Sequence, residues 1–280
     1  ANPKPDLSNK EYGATMSGPI IKDKLFWAAS AEIRRDSRPA DSVVMPTASQ
    51  MLVSPGTETA TASMTALASA LASKYNGSFA KDFSQDTYWG KLTYLMSDVD
   101  TFDLELKSRK EDDLRGFGGT TGYDRGNSQA QDEKLALLKW RHRGENFVNE
   151  ASLSYQKNNW GQRPTSIAPG ITLVKTPIAQ TTAITDLSRV AATFGGIPYA
   201  QDKNQINTTL KDEVTLSNID WHGRHTVKIG GKIARYEYEA SEAIPVSNPE
   251  LFYDVRTYVL GGNNTPIAAK VMDGDPLLGA

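Results

Sequence analysis

The chain has 280 residues, a formal net charge of −2, three histidines and no cysteine. That length suits one large domain or two small ones. The near-neutral charge gives no global attraction to nucleic acid or anionic lipid, and the absence of thiols excludes disulfides, thiol catalysis and Cys-ligated zinc.

A cysteine-free chain fits a periplasm-exposed compartment. No run of about 18 apolar residues is present, so no helix is expected to cross a membrane. The opening ANPKPDLSNKEYG has neither the basic nor the apolar region of a signal peptide and no initiator methionine. The closing GDPLLGA is neither a capped element nor a tail. Both ends are therefore expected to be cuts in a longer chain.

In chain order, the first element is a hairpin over about residues 11–36. Tyr12, Ala14 and Met16 alternate before a tight charged turn, and Leu25, Trp27, Ala29, Ala31 and Ile33 alternate after it. Such period-2 alternation is the signature of a strand with two unlike faces. Next comes TETATASMTALASALASKYNG, where Met64, Leu67, Ala68 and Leu71 recur at helical spacing before a stop at Gly77. A small helix packed on its own loop is expected there.

The second hairpin spans about 86–110. TYWGKLTYLM puts Tyr88, Leu92, Tyr94 and Met96 on one face. TFDLELKSR puts Phe102, Leu104 and Leu106 opposite Asp103, Glu105, Lys107 and Arg109. Only SDVD joins the two runs, which is hairpin spacing. The third hairpin, about 133–157, turns at RGEN, and the fourth, about 208–240, turns at HGR. In the last strand Val227, Ile229 and Ile233 share one parity, whereas Tyr236 and Tyr238 have the other. Gly230 and Gly231 sit just before that switch, which predicts a β-bulge there.

The turns are short and the links between hairpins are long, about 50, about 20 and about 50 residues, with a final run of about 40. This alternation is that of transmembrane β-barrels, with tight periplasmic turns and long outer loops. The expected fold is therefore all-β: an antiparallel meander of about eight strands, a partial transmembrane barrel with one short loop helix. Residues 1–280 form one partial barrel domain, and 241–280 form a truncated extracellular loop.

Trp27, Phe102, Trp140, Phe147 and Trp221 lie near the short turns. Tyr12, Tyr88, Trp89, Tyr155, Trp160, Tyr236 and Tyr238 lie toward the long loops. Two aromatic girdles around an aliphatic band match the two interfaces of a bilayer. The lipid-interface set is Trp27, Tyr88, Tyr94, Phe102, Trp140, Phe147, Tyr155 and Trp221. The charged set is Lys91, Asp103, Glu105, Lys107, Arg109, Lys139, Arg141 and Glu150. In a barrel these must face the lumen, because Arg or Lys on the lipid side costs roughly 2–4 kcal/mol at the midplane.

His142, His222 and His225 all flank turns, at a spacing that matches no zinc pattern. RGFGGTTGYDRG lacks the strand–loop–helix context of a phosphate cradle and reads as a mobile surface loop. KEDDLRG and VMDGDPLLG read as solvated acidic loops, since neither has EF-hand spacing. With no catalytic set, metal site or cofactor fingerprint in view, an enzyme is not expected.

NKEYGATMSGPIIKDKLFWAASAE, QDTYWGKLTYLMSDVDTFDLEL and LSNIDWHGRHTVKIGGKIARYEY resemble hairpins of the TonB-dependent outer-membrane receptors, particularly the Oar-like branch. The resemblance implies uptake of a scarce nutrient (a siderophore, a peptide or an oligosaccharide) across the outer membrane of a Gram-negative bacterium. The implied partners are outer-membrane lipid, the remainder of the barrel, a plug domain docked in the lumen on the charged side, and the TonB complex, with no nucleic acid. The family has an N-terminal plug and about 22 strands, and neither a plug nor that many strands is seen here, so the resemblance implies a fragment. The rival readings are a small closed eight-stranded barrel with a structural or adhesive role, and a soluble β-rich binding module. The fragment reading predicts an open sheet whose first and last strands are unpaired.

Overall fold

A computed structural model of the chain describes residues 8–38, 42–179, 186–197, 200–243, 249–270 and 278–279. Its main feature is a wall of eight long strands: β1 (Ser8–Ile21), β2 (Leu25–Arg38), β5 (Lys81–Leu95), β6 (Asp100–Arg115), β7 (Asn127–Arg143), β8 (Phe147–Pro164), β11 (Ala200–Asp220) and β12 (Arg224–Ala243). They pair in that order, each antiparallel to its neighbours. The wall does not close: β1 and β12 are its two edges and do not pair with each other. The open meander expected from the turns is present, and the small closed barrel is not.

The strands extend past the alternating runs read from sequence. KEDDLRG, expected to be a loop, is mostly the end of β6. The turns are three or four residues long and use left-handed backbone where it is needed. Asp23 has φ 60°, His222 φ 53° and Gly223 φ 135°, the last being a conformation that glycine adopts without steric cost.

The bulge expected at Gly230–Gly231 is absent. Gly230 pairs with Glu213 and Gly231 with Asp212 in unbroken register, and the shift lies instead between Leu216 and Ile219, beside Asn218 at φ 60°. Gly230 serves a different purpose. A Cβ there would lie 2.7 Å from Glu213 Cγ, so the glycine leaves room for Glu213 to cross the strand and meet Lys228 at 3.3 Å.

The long links fold together as a second layer. It comprises β3 (Ser42–Val43) paired with β4 (Gly77–Ser78), helix α1 (Ala62–Tyr75), and a five-stranded sheet in the order β10-β9-β13-β14-β15. The strands of that sheet are β9 (Gly170–Val174), β10 (Val190–Phe194), β13 (Glu250–Asp254), β14 (Ala268–Lys270) and β15 (Leu278–Gly279). β13 runs parallel to β9, a long-range pairing that no hairpin signal announces. The run beyond residue 240 is thus partly sheet, and most of VMDGDPLLG lies outside the described residues.

Among the described residues, this layer holds every buried apolar side chain except Phe83. Thr61 caps α1 by accepting from Met64 N at 3.2 Å. The helix buries Met64, Leu67, Leu71 and Tyr75, but not on its own loop alone. They join one core with Leu173, Phe194, Val255 and Tyr258 from three later segments. The glycine-rich RGFGGTTGYDRG is packed as well. Phe117 is buried, and its ring meets Tyr123 at 4.9 Å.

Polar groups clasp the layer. Arg125 bridges to Glu250 at 2.5 Å and donates to Gly196 O at 2.9 Å. Burial pushes the Tyr258 phenol up to about 12. The Glu58 carboxylate accepts from the backbone amides of Ser54, Ile178 and Val53 at 3.0, 2.8 and 3.1 Å. Those bonds, the one from Ser54 foremost, hold its pKa below the usual carboxylate value. A folded pKa below the unfolded value of about 4.3 stabilises the fold above that pH, and the gain is lost as pH falls through the folded value. Glu58→Gln is expected to lower the stability of the layer at neutral pH, with the difference from wild type vanishing on acidification. Near-UV circular dichroism of the buried tyrosines against pH checks this, and a pH-independent difference would contradict it.

Candidate functional site

The register of the wall sorts side chains into two faces. On one face, Trp27, Leu92, Leu104, Leu138, Leu153, Leu210 and Ile233 form a continuous cross-strand row. The adjacent row toward the turns is Leu25, Tyr94, Phe102, Trp140, Ala151 and Asp212. Phe102 stacks on Trp140 with ring centroids 6.4 Å apart. Trp140 Nε1 donates to Asp100 Oδ1 at 3.0 Å, and His142 Nδ1 lies 2.8 Å from the same oxygen. The ring that begins in the apolar band thus ends on a polar anchor at the turn. Asp212, at this same level, accepts from Asn149 at 2.8 Å.

Toward the long links the apolar band stops abruptly. Ile33 is followed on its face by Arg35, and the register aligns Asp86, Lys110 and Asp132 across three strands. From Phe102 to Lys110, eight steps of about 3.4 Å make about 27 Å along the strand. A tilt of ~40° reduces that to about 20 Å, close to the ~25 Å apolar band of outer-membrane barrels.

The opposite face carries the charges. Lys91, Asp103, Glu105, Lys107, Arg109, Lys139, Arg141 and Glu150 all share it. They form a ladder: Lys91 to Asp103 at 3.2 Å and to Glu105 at 3.7 Å, Lys139 to Glu105 at 3.8 Å, Lys107 to Glu133 at 3.5 Å, and Arg141 to Glu150 at 2.8 Å. Arg109 pairs with Glu111 and donates to Gln85 Oε1 at 3.3 Å. Sequence reasoning missed Lys211, Glu213 and Lys228, which extend the ladder to the far edge. They were legible as polar residues but not as neighbours of Glu150, because the long link from Pro164 to Ala200 hides the register.

Exposure differs between the two faces in the middle of β6. Leu106 is 52% exposed, while the Glu105 side chain beside it is 21% exposed. There Glu105 is shielded by Lys91 and Lys139, while Leu106 stands open.

The aromatics divide less simply than the sequence suggested. Trp27, Tyr88, Tyr94, Phe102, Trp140, Phe147 and Tyr155 are on the apolar face, as is Tyr12. Trp221 lies in the last turn and is 73% exposed. Trp89, Trp160, Tyr236 and Tyr238 are on the charged face and belong to no girdle of the apolar one. Of the histidines, His222 holds the last turn, and His225 Nε2 lies 2.6 Å from Trp221 O.

An open antiparallel meander with an apolar, aromatic-bounded face and a charged, ion-paired face is a wall segment of the outer-membrane-barrel type. The fold is similar to that of the outer membrane transporter YddB from Escherichia coli, with a TM-score of 0.60 at 12% identity. The match covers 90% of this chain and 28% of that one, so the chain spans about a quarter of the length of the transporter it resembles. No protein-family model and no curated protein sequence matches the chain.

Proposed function

We propose that this chain is a segment of the wall of an outer-membrane active transporter, a receptor of the TonB-dependent kind that takes up a scarce nutrient. The observation that carries the reading is the segregation of the two faces. A continuous leucine row bounded by aromatic rings suits hydrocarbon, and charges on a lipid-facing wall would be expelled. The ion-paired face then lines a lumen wide enough for a plug domain and for solute. The unpaired edges β1 and β12 are where further strands of the barrel would join, since an open edge otherwise templates aggregation. Its partners would be outer-membrane lipid, those strands, the plug and the energy-transducing TonB complex, and its role would be transport rather than catalysis.

The chain has no native cysteine, so single-cysteine variants report on each face separately. In outer-membrane vesicles, Glu105→Cys is expected to react with a membrane-impermeant, water-soluble maleimide once the vesicles are opened. Leu104→Cys is expected to react only with a lipid-soluble one. Equal labelling of both by the water-soluble reagent would show that the apolar face is not in lipid, and the transporter reading would fall.

A further inference from the structure

The charged face is not uniform. Toward the long links, on the half built by β7, β8, β11 and β12, the ion pairs give way to carboxamides. Gln129, Gln131, Gln156, Asn158, Gln162, Gln201, Gln205 and Asn207 all have the parity of that face, and the register places them in four successive cross-strand rows. The rows run Leu135–Gln156–Asn207–Tyr236, then Glu133–Asn158–Gln205–Tyr238, then Gln131–Trp160–Lys203, then Gln129–Gln162–Gln201. On β2, β5 and β6 the corresponding rows carry Arg34, Asp36, Arg109, Glu111 and Asp113 instead. Gln85 of β5 apart, which accepts from Arg109, the amides of this face from β2 onward are therefore gathered in one quadrant.

We infer that this quadrant is a binding site for a neutral, hydroxyl-rich ligand, an oligosaccharide. The inference rests on the proposed lumen-facing orientation and names the substrate class of that same surface. A carboxamide both donates and accepts hydrogen bonds and carries no charge, which matches a vicinal diol. A sugar ring also presents a flat C–H face, and such a face packs on an aromatic ring. Tyr236 and Tyr238 supply two rings at successive rows, 61% and 65% exposed, and they make no ring-to-ring contact among the described residues. Trp160 lies in the next row, with Lys203 Nζ 5.1 Å from its ring centre. The amides hold one another in place. Gln131 donates to Asn158 at 3.2 Å, Gln156 donates to Glu133 at 3.3 Å, and Thr209 donates to Asn207 at 3.1 Å. A charged siderophore or an acidic or basic peptide would find few complementary charges here, because the charged members of these rows are Glu133 and Lys203 with Glu242 at the edge.

The test is isothermal titration of the full chain in detergent micelles with maltohexaose, cellohexaose and xylohexaose, with hexaglycine as the peptide comparator. At least one hexasaccharide is expected to bind, with an affinity unchanged by ionic strength because neither charge nor screening is involved. The double variant Tyr236→Ala/Tyr238→Ala is expected to weaken that binding by about tenfold, the scale of one to two aromatic contacts. Both side chains are exposed, so the variant leaves the packing intact, and an unchanged circular dichroism spectrum checks that it does. Binding of none of the three sugars, tighter binding of hexaglycine, or a sugar affinity untouched by the double variant would each overturn the inference. Its failure is separable from that of the transporter reading, which the cysteine labelling of Leu104 and Glu105 decides without any ligand.

Discussion

Leu106→Arg is expected to destabilise the membrane-inserted wall by about 2–4 kcal/mol, the cost of a cation near the midplane on the lipid side of a barrel strand. Leu106 shares the apolar face with Leu104, between Gly90 and Ala136 on the neighbouring strands. It lies four steps from Phe102 and four from Lys110 along β6, so an arginine there is as far as the band allows from either boundary. The same substitution at Ser108 is expected to cost less, because that side chain lies one turn of the pleat from Lys110 and can reach the charged belt by snorkelling. Glu105→Gln, one residue from Leu106 but on the other face, removes a partner of Lys91 and Lys139. That ion pair is partly solvated, so the change is expected to stay within about 1 kcal/mol. Urea titration of refolding into lipid vesicles measures all three. A ranking in which Glu105→Gln costs more than Leu106→Arg would mean that the leucine face is not the one in contact with hydrocarbon.

The wall was legible in the sequence because one face of each strand differs chemically from the other. TFDLELKSR states its two faces residue by residue, and a turn of three or four residues leaves the chain no partner but its neighbour. The second layer was not legible for the opposite reason. GITLV (β9) and VAATF (β10) are short runs buried without alternation, and β9 finds β13 about 80 residues away in parallel register. The apolar stripe of α1 declared a helix, but nothing in it could say that Phe194 and Tyr258 would complete its core. Gly230 and Gly231 show how a local signal misleads. A glycine pair beside a parity change suggested a bulge, whereas the register runs through it unbroken and Tyr236 and Tyr238 simply fall on the charged face, beside the amides. The carboxamide cluster itself was invisible, since its members come from three strands and only the register lines them up.

The other large effect is expected in the second layer, from Phe194→Ala. Phe194 is 1% exposed, its ring lies 5.0 Å from that of Tyr75 and 6.1 Å from that of Tyr258, and it belongs to the core shared by α1, β9 and β10. Removing a fully buried phenylalanine costs about 3–5 kcal/mol, part transfer and part cavity. The neighbours can collapse only partly, because the Tyr75 and Tyr258 rings approach from two sides at interplanar angles of 35° and 61°. The loss should be confined to the layer. The wall strands are held by their own ladders and keep little apolar core in common with it: among the described residues Leu114 of β6 packs against that core, and buried Phe83 does not belong to it. Phe194→Ala is therefore expected to abolish the near-UV signal of the buried tyrosines and to expose α1 to rapid amide exchange, while the far-UV strand signal and the exchange protection of β6 and β7 persist. Simultaneous loss of protection in β6 and in α1 would show that the two layers unfold as one cooperative unit, and that the long links help to hold the wall rather than resting on it.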